Sequence, residues 1–313
     1  MTERKDPPEL KDARKINRNR CVLAIISCSV ICICVFLGVV TLMLSDPDAL
    51  VEEVGAKAFR MFTVLSNMLM AIAASMCIPF AVEGLRHRNY HLPRWTVNFL
   101  FTATTGVALT FIFTVTALSI FAGYKRMMVD REGIYLHTIA PVLSILLFLF
   151  INSDHKIQFR STFYAMIPMV LYAIVYAVLA FGIGQEAGGW RDHYQFNKYL
   201  PWYCAAPLML LLTFGVADVL RIVHNMIHEK RKAGIVRYFQ ESGEFAYPTI
   251  REAVEALAEH DKEHDLGGNI TAPRRIVQMM EEKYQSGYST AELLNIYIEA
   301  YLQSDIEEEI NKK

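Results

Sequence analysis

The chain of 313 residues predicts an all-α, polytopic integral membrane protein: six transmembrane helices followed by a small cytoplasmic helical appendage at the C-terminus. Three observations predict it. Six apolar runs lie at roughly 22–44, 61–82, 97–123, 134–151, 162–184 and 199–220, separated by short charged loops. A bilayer core about 30 Å thick needs about 20 residues at 1.5 Å each, and every run meets or nearly meets that length. Lys and Arg are segregated by loop, and beyond about residue 239 the chain turns polar and acidic. The implied organisation is a basic N-terminal arm at 1–20, a six-helix domain at 21–228, and a linker with a helical tail at 229–313.

Cations set the orientation, because cytoplasmic flanks are enriched in Lys and Arg. The arm carries Arg4, Lys5, Lys11, Arg14, Lys15, Arg18 and Arg20. The loop after the second run carries Arg86, Arg88 and Arg94, and the segment leaving the sixth run carries Arg221, Lys230, Arg231, Lys232 and Arg237. The opposite loops are acid-balanced, so both termini are expected in the cytoplasm. The first run is too long for a signal-peptide core and no small-residue cleavage site closes it before Asp46-Pro47, so it is read as an anchor and first helix. With 53% hydrophobic residues, a net charge of −1 and no basic stripe interleaved with aromatics outside the membrane flanks, a nucleic-acid role is not expected.

Before the second run, Leu50, Val51, Val54, Ala58 and Phe59 recur at helical spacing among charges, the pattern of a short interfacial helix that delivers Thr63 to the outer edge of the bilayer. The third run holds Thr102, Thr104, Thr105, Thr110, Thr114 and Thr116, which read as hydroxyls returned to their own helix or to a neighbour. Pro79, Pro141, Pro168 and Pro207 fall inside four different runs and point to bent helices. Trp95, Trp202, Tyr90, Tyr124, Tyr199 and Tyr203 sit near run ends, as interface anchors do. The six cysteines, Cys21, Cys28, Cys32, Cys34, Cys77 and Cys204, lie in or beside runs and read as packing residues.

In the tail, Ile250, Val254 and Leu257 form one stripe, Ile276, Met280 and Tyr284 another, and Leu294, Tyr297, Ile298, Tyr301 and Leu302 a third. A three-helix appendage of this size has a marginal core alone, so docking on a protein partner, on the membrane domain or on a second copy is expected. His260 and His264 stand one turn apart, but Asp261 follows the first where a zinc hydrolase carries its general-base Glu. A solvated acidic helix is the preferred reading, with no metal and no cofactor.

Ionisable groups inside spans are costly and so are the first functional candidates. They are few: His137 in the fourth run, Asp218 at the inner end of the sixth, and the tyrosines of the fifth, Tyr164, Tyr172 and Tyr176. The second and fourth runs start at the same face, and Thr63 and His137 both lie about one turn past their starts. They share a depth. A hydroxyl beside an imidazole suits a nucleophile and general base, although packing across helices explains the same pair. Asp218 is at the wrong leaflet, and the acids nearest in depth are Asp130, Glu132, Glu186 and Asp192.

Phe62-Thr63-Val64-Leu65-Ser66-Asn67, His137-Thr138-Ile139-Ala140-Pro141, Tyr172 and Tyr176 together resemble the androgen-induced membrane protein family and its bacterial six-span relatives. The resemblance covers 20–228 and implies a six-span domain. In that family's animal members a threonine and a histidine hydrolyse fatty acid esters of hydroxy fatty acids, and the motif carries these roles to Thr63 and His137. The bacterial relatives have an aromatic, proline-rich segment after the fifth span. Here Trp190-Arg191-Asp192-His193-Tyr194-Gln195-Phe196 has no proline, and the appendage has no counterpart in the animal enzymes.

Two readings follow. One is a lipid-ester hydrolase in a membrane of bacterial type, with a fatty-acyl ester entering among the spans, Ser66 or Asn67 as oxyanion donor, and Arg60, Lys125 or Arg131 attracting a carboxylate head. The other is a non-catalytic scaffold or transporter whose tail binds a partner.

Overall fold

The computed structural model describes residues 8–47, 53–87, 92–152, 155–194, 196–199 and 201–241. Every regular element among them is helical. Six helices are long and apolar enough to cross a membrane: Arg18–Met43, Phe62–Arg86, Arg94–Leu118, Ile134–Ile151, Phe159–Ile183 and Trp202–Lys230. These are the six expected runs, and they are compatible with an integral membrane protein. The first helix starts earlier than its run, at Pro8, so most of the basic arm is its helical extension. The last begins after Pro201, which cannot donate to a preceding turn, and continues to Glu241 through charged sequence that still favours helix. The expected appendage, with His260 and His264, lies outside the described residues.

The chain divides into two compact units. The smaller takes residues 1–22, 80–91 and 226–313, and the larger takes 23–79 and 92–225. The larger unit's central helix is the third span, with 61% of its apolar stretch buried against 17% in the sixth. The outward residues are apolar: Ile33, Phe36, Leu171, Ile174, Val178, Leu208 and Leu211 are all exposed. A surface like that is stable against acyl chains and unstable against water.

Close approach between spans occurs where side chains are small. A Cβ on Gly38 of the first span would stand 2.6 Å from Leu136 Cγ of the fourth, and one on Gly106 of the third would stand 3.2 Å from Ser66 Cβ of the second. Cys32 Sγ donates to the Ala71 carbonyl at 3.4 Å, joining the first and second spans. None of the six cysteines forms a disulfide. The threonines of the third span behave as expected. Thr102, Thr105, Thr110 and Thr116 donate to carbonyls three or four residues back, while Thr104 reaches Met70 Sδ across to the second span.

Four stretches of the spans widen to π-helix: Thr114–Leu118, Ile134–Ile139, Leu147–Ile151 and Ala177–Ile183. The second has a local cause. Pro141 has no N–H for the His137 carbonyl four residues back, and its ring crowds that carbonyl, so the turn through His137 opens. The segment before the second span is a 3-10 helix, Gly55–Arg60, entered at Gly55 with φ +60. It buries Ala58 against Leu42, Val64 and Leu136. The interfacial helix expected there is thus shorter and tighter, and its first residues lie outside the description.

Adding a methyl at Gly38 forces Leu136 from its site. Gly38→Ala is expected to lower stability by about 1–3 kcal/mol, as overpacking does. Gly215→Ala, where an added Cβ meets nothing within 4 Å, leaves stability unchanged or raises it. Thermal unfolding in detergent measures both.

Candidate functional site

At the end of the larger unit where the second, fourth and sixth spans begin, an apolar crevice opens among the second, third, fifth and sixth spans. Phe62, Leu109, Met169, Tyr172 and Tyr176 form its buried wall. The crevice is narrow: about 60 Å³ of it admits the centre of a water molecule, within an empty envelope of about 720 Å³ that includes the open mouth. Thr63, Thr110 and Thr114 contribute three threonine hydroxyls to its lining, beside the phenols of Tyr172, Tyr176 and Tyr194 and otherwise aliphatic and aromatic side chains.

Those three hydroxyls differ. Thr110 donates to the Val107 carbonyl at 2.9 Å and Thr114 to the Thr110 carbonyl at 2.8 Å. Thr63 presents only its backbone carbonyl to protein donors, so among the described residues its hydroxyl has no partner. It is the uncommitted threonine hydroxyl of the crevice.

His137 is buried, and its Nδ1 lies 2.9 Å from Thr114 Oγ1. The Thr114 proton is directed to the Thr110 carbonyl, so the oxygen is left to accept from Nδ1–H. Nε2 then carries the lone pair. Thr114 thus fixes tautomer and ring orientation, the task a carboxylate performs in a hydrolase triad. Of the acids near this depth, Glu132 binds Arg126 at 3.0 Å and Asp192 is engaged elsewhere, so neither orients the ring.

Asn67 ties the two candidate residues together. Its Nδ2 donates to the Thr63 carbonyl at 2.8 Å and to the Leu136 carbonyl at 3.1 Å, so one amide holds the backbone at Thr63 and the backbone beside His137 on one level. Ser66 Oγ also donates to the Thr63 carbonyl, at 3.1 Å. Expected as oxyanion donors, Ser66 and Asn67 have their donors on carbonyls instead.

The start of the second span is held from above. Tyr172 donates to the Arg60 carbonyl at 2.8 Å, and Tyr194 accepts from the Phe62 amide at 3.0 Å, satisfying one of the orphan N–H groups of that helix start. Tyr194 belongs to a strap, residues 190–194, that lies over the crevice with Tyr176. Tyr176 donates to Asp192 at 2.8 Å and accepts from the Tyr194 amide at 3.3 Å. Asp192 also caps the short helix Phe196–Tyr199 by accepting from the Phe196 and Asn197 amides. Arg60 stands 5.8 Å from the Trp190 ring centre and 3.7 Å from Glu53. It does not line the crevice but stands beside the strap at Trp190.

Arg131 does not line the crevice either. It adopts φ +52, a left-handed conformation costly for a side-chain residue, and faces Glu132 at 3.7 Å. Glu132 is almost wholly buried between Arg126 and Arg131. Gly133 is required beside it, since a Cβ there would meet the Met127 carbonyl oxygen at 2.5 Å. Thr138 Oγ1 donates to the Met128 carbonyl at 2.6 Å and pins this loop to the fourth span.

Thr114, His193 and Tyr194 were not picked out from the sequence as site residues, and Asp192 was weighed only as an acid near the depth of His137. Thr114 is one of six threonines in its run, with nothing local to single it out. The strap carried a signal, a dense aromatic cluster directly after a span. Comparison with known proteins gives no matching family model, no matching curated protein and no matching solved structure.

Burial pushes the His193 imidazole down to about 4, helped by Arg60 and opposed by the Arg191 carbonyl and Asp192. An imidazole held neutral contributes in full above its ordinary value of 6.5 and loses that contribution as pH falls through the window to about 4. Trp190 emission, reporting on the strap, is expected to change across that window. In His193→Gln the change disappears.

Proposed function

We propose that the crevice receives a lipid ester and that Thr63 and His137 hydrolyse it. The observation that supports this most is the Thr63 hydroxyl, without a protein partner, lining the same crevice as the Thr114 side chain that orients His137. In the proposed reaction Thr63 Oγ attacks the ester carbonyl carbon while His137 Nε2 takes the hydroxyl proton. The alcohol leaves with that proton. Water then attacks the acyl-threonine, restoring Thr63 and releasing the acid. Asn67 and Ser66 are positioning residues that set the Thr63 backbone, and Arg60, beside the strap, attracts a free carboxylate on the substrate.

The substrate class follows from the walls. A crevice of Phe62, Leu109, Phe113, Met169 and Met209 takes an acyl chain by burial of apolar surface, and offers little to a polar head except at the mouth. A fatty acid ester of a hydroxy fatty acid has both an acyl chain and a carboxylate, in keeping with the resemblance carried by the Thr63 and His137 motifs. The distribution of Lys and Arg supports cytoplasmic termini and an outward-facing crevice mouth.

A second reading has one observation in its favour. A threonine-to-histidine bond between spans is also what a non-catalytic bundle uses for cohesion. The two separate in one assay. Membranes carrying the protein are expected to release fatty acid from such a branched ester. Thr63→Ala and His137→Ala are expected to lower turnover by about 10²–10⁴-fold, and Thr114→Val to lower it less. Thr63→Ser retains activity. Undiminished turnover in the two alanine variants contradicts the hydrolase and leaves the scaffold.

A further inference from the structure

Addition of the Thr63 hydroxyl to an ester puts negative charge on the carbonyl oxygen, and in an apolar crevice that charge is costly unless a donor meets it. Most side-chain donors near Thr63 are committed. Ser66 and Asn67 donate to the Thr63 carbonyl, Thr110 and Thr114 to carbonyls of their own helix, Tyr172 to the Arg60 carbonyl and Tyr176 to Asp192.

The backbone at the start of the second span offers another donor. A helix leaves its first N–H groups without acceptors of its own. Here the Phe62 amide donates to the Tyr194 hydroxyl at 3.0 Å, and the Val64 and Leu65 amides donate to the Met61 carbonyl at 3.1 and 3.2 Å. Among the described residues, the Thr63 amide between them has no acceptor. The cause is local. Met61 is extended, with φ −86 and ψ 132, so the helical path from the preceding 3-10 turn is broken, and the Arg60 carbonyl three residues back accepts from Tyr172.

This amide is well placed to act on substrate. Phe62 and Thr63, the two residues its peptide bond joins, both line the crevice, as does the Thr63 hydroxyl that has no protein partner. It belongs to the first turn of a 26-residue helix with no acid in that turn, so the positive end of the helix adds to its partial charge. A nucleophile whose own backbone N–H receives the oxyanion is stereochemically sound, since serine proteases use that arrangement. We propose that the Thr63 backbone N–H is the oxyanion donor of the crevice. The inference rests on the ester hydrolysis proposed above. As Thr63 Oγ bonds to the carbonyl carbon and His137 takes its proton, the carbonyl π pair moves onto oxygen and is met by this N–H. When the pair returns, the bond to the alcohol oxygen breaks and the alcohol leaves with the proton held on His137.

Nonsense suppression with α-hydroxy acids tests it, because an ester linkage removes one N–H and keeps the side chain. The full chain in membranes is assayed with a fatty acid ester of a hydroxy fatty acid. The hydroxy acid with the threonine side chain at position 63 is expected to lower kcat about 10²–10³-fold and leave KM unchanged. The matching replacement at Val64, whose N–H serves a backbone carbonyl, is expected to keep kcat near that of the native chain. A long-chain trifluoromethyl ketone, labelled with carbon-13 at its carbonyl, gives a second readout. Its hemiketal on Thr63 should ionise at lower pH in the native chain than in the position-63 ester, a difference that a merely structural role for the N–H does not produce. Unchanged kcat in the position-63 ester, equal losses at 63 and 64, or identical hemiketal titrations overturn the donor while loss of turnover in Thr63→Ala keeps the hydrolase. Absence of turnover in the native chain, or full turnover in Thr63→Ala, overturns both.

Discussion

Inside a bilayer there is no water to satisfy a polar group, and the site depends on how one amide meets that constraint. Asn67 directs both of its N–H groups to carbonyls, one on its own helix and one on the fourth span. Side-chain hydrogen bonds between membrane helices average only about 0.6 kcal/mol. That is too little to hold the bundle and enough to select its register. Apolar contacts such as Gly38 against Leu136 supply cohesion, and Asn67 decides which turn of the second span meets which turn of the fourth. From that register follow the level of Thr63, the level of His137, and the access of both to the third span.

The third span completes the site because it is central. It presents Thr114 to His137 and Gly106 to Ser66, so one buried helix orients the imidazole and permits close approach of the Thr63 helix. The π turns at Thr114–Leu118 and Ile134–Ile139 fall on the two partners of that hydrogen bond. Widened turns of this kind recur at functional sites in helices. Above them the strap reaches down through Tyr194, and the fifth span reaches across through Tyr172, to grip the residues just before Thr63.

Span positions were legible in the sequence because hydropathy over about 20 residues is a property of composition and survives ignorance of tertiary contacts. The similar depth of Thr63 and His137 could be counted from the span starts, given a topology. Pro141 was visible too, and the opening of the turn through His137 follows from its missing N–H. Thr114 was not legible, since which threonine of the third span faces the fourth depends on helix rotation, which a sequence apolar on all sides does not encode. The roles of Ser66 and Asn67 were hidden for the opposite reason. Their donors have a local competitor, the Thr63 carbonyl, and a bond three or four residues back is a short-range choice open to any such side chain in a helix. The strap's hold on Tyr176 and on the Phe62 amide joins residues far apart in the chain, and no periodicity reports on it.

The central claim is that Thr63 is a nucleophile activated by His137 in an apolar pocket. A long-chain fluorophosphonate, which reacts only with an activated hydroxyl or thiol, tests it on the intact protein in its membrane. Peptide mass spectrometry should find the phosphonate on Thr63 in the native chain and lose it in His137→Ala. Labelling confined to other residues, or a Thr63 adduct formed equally well without His137, would contradict the account.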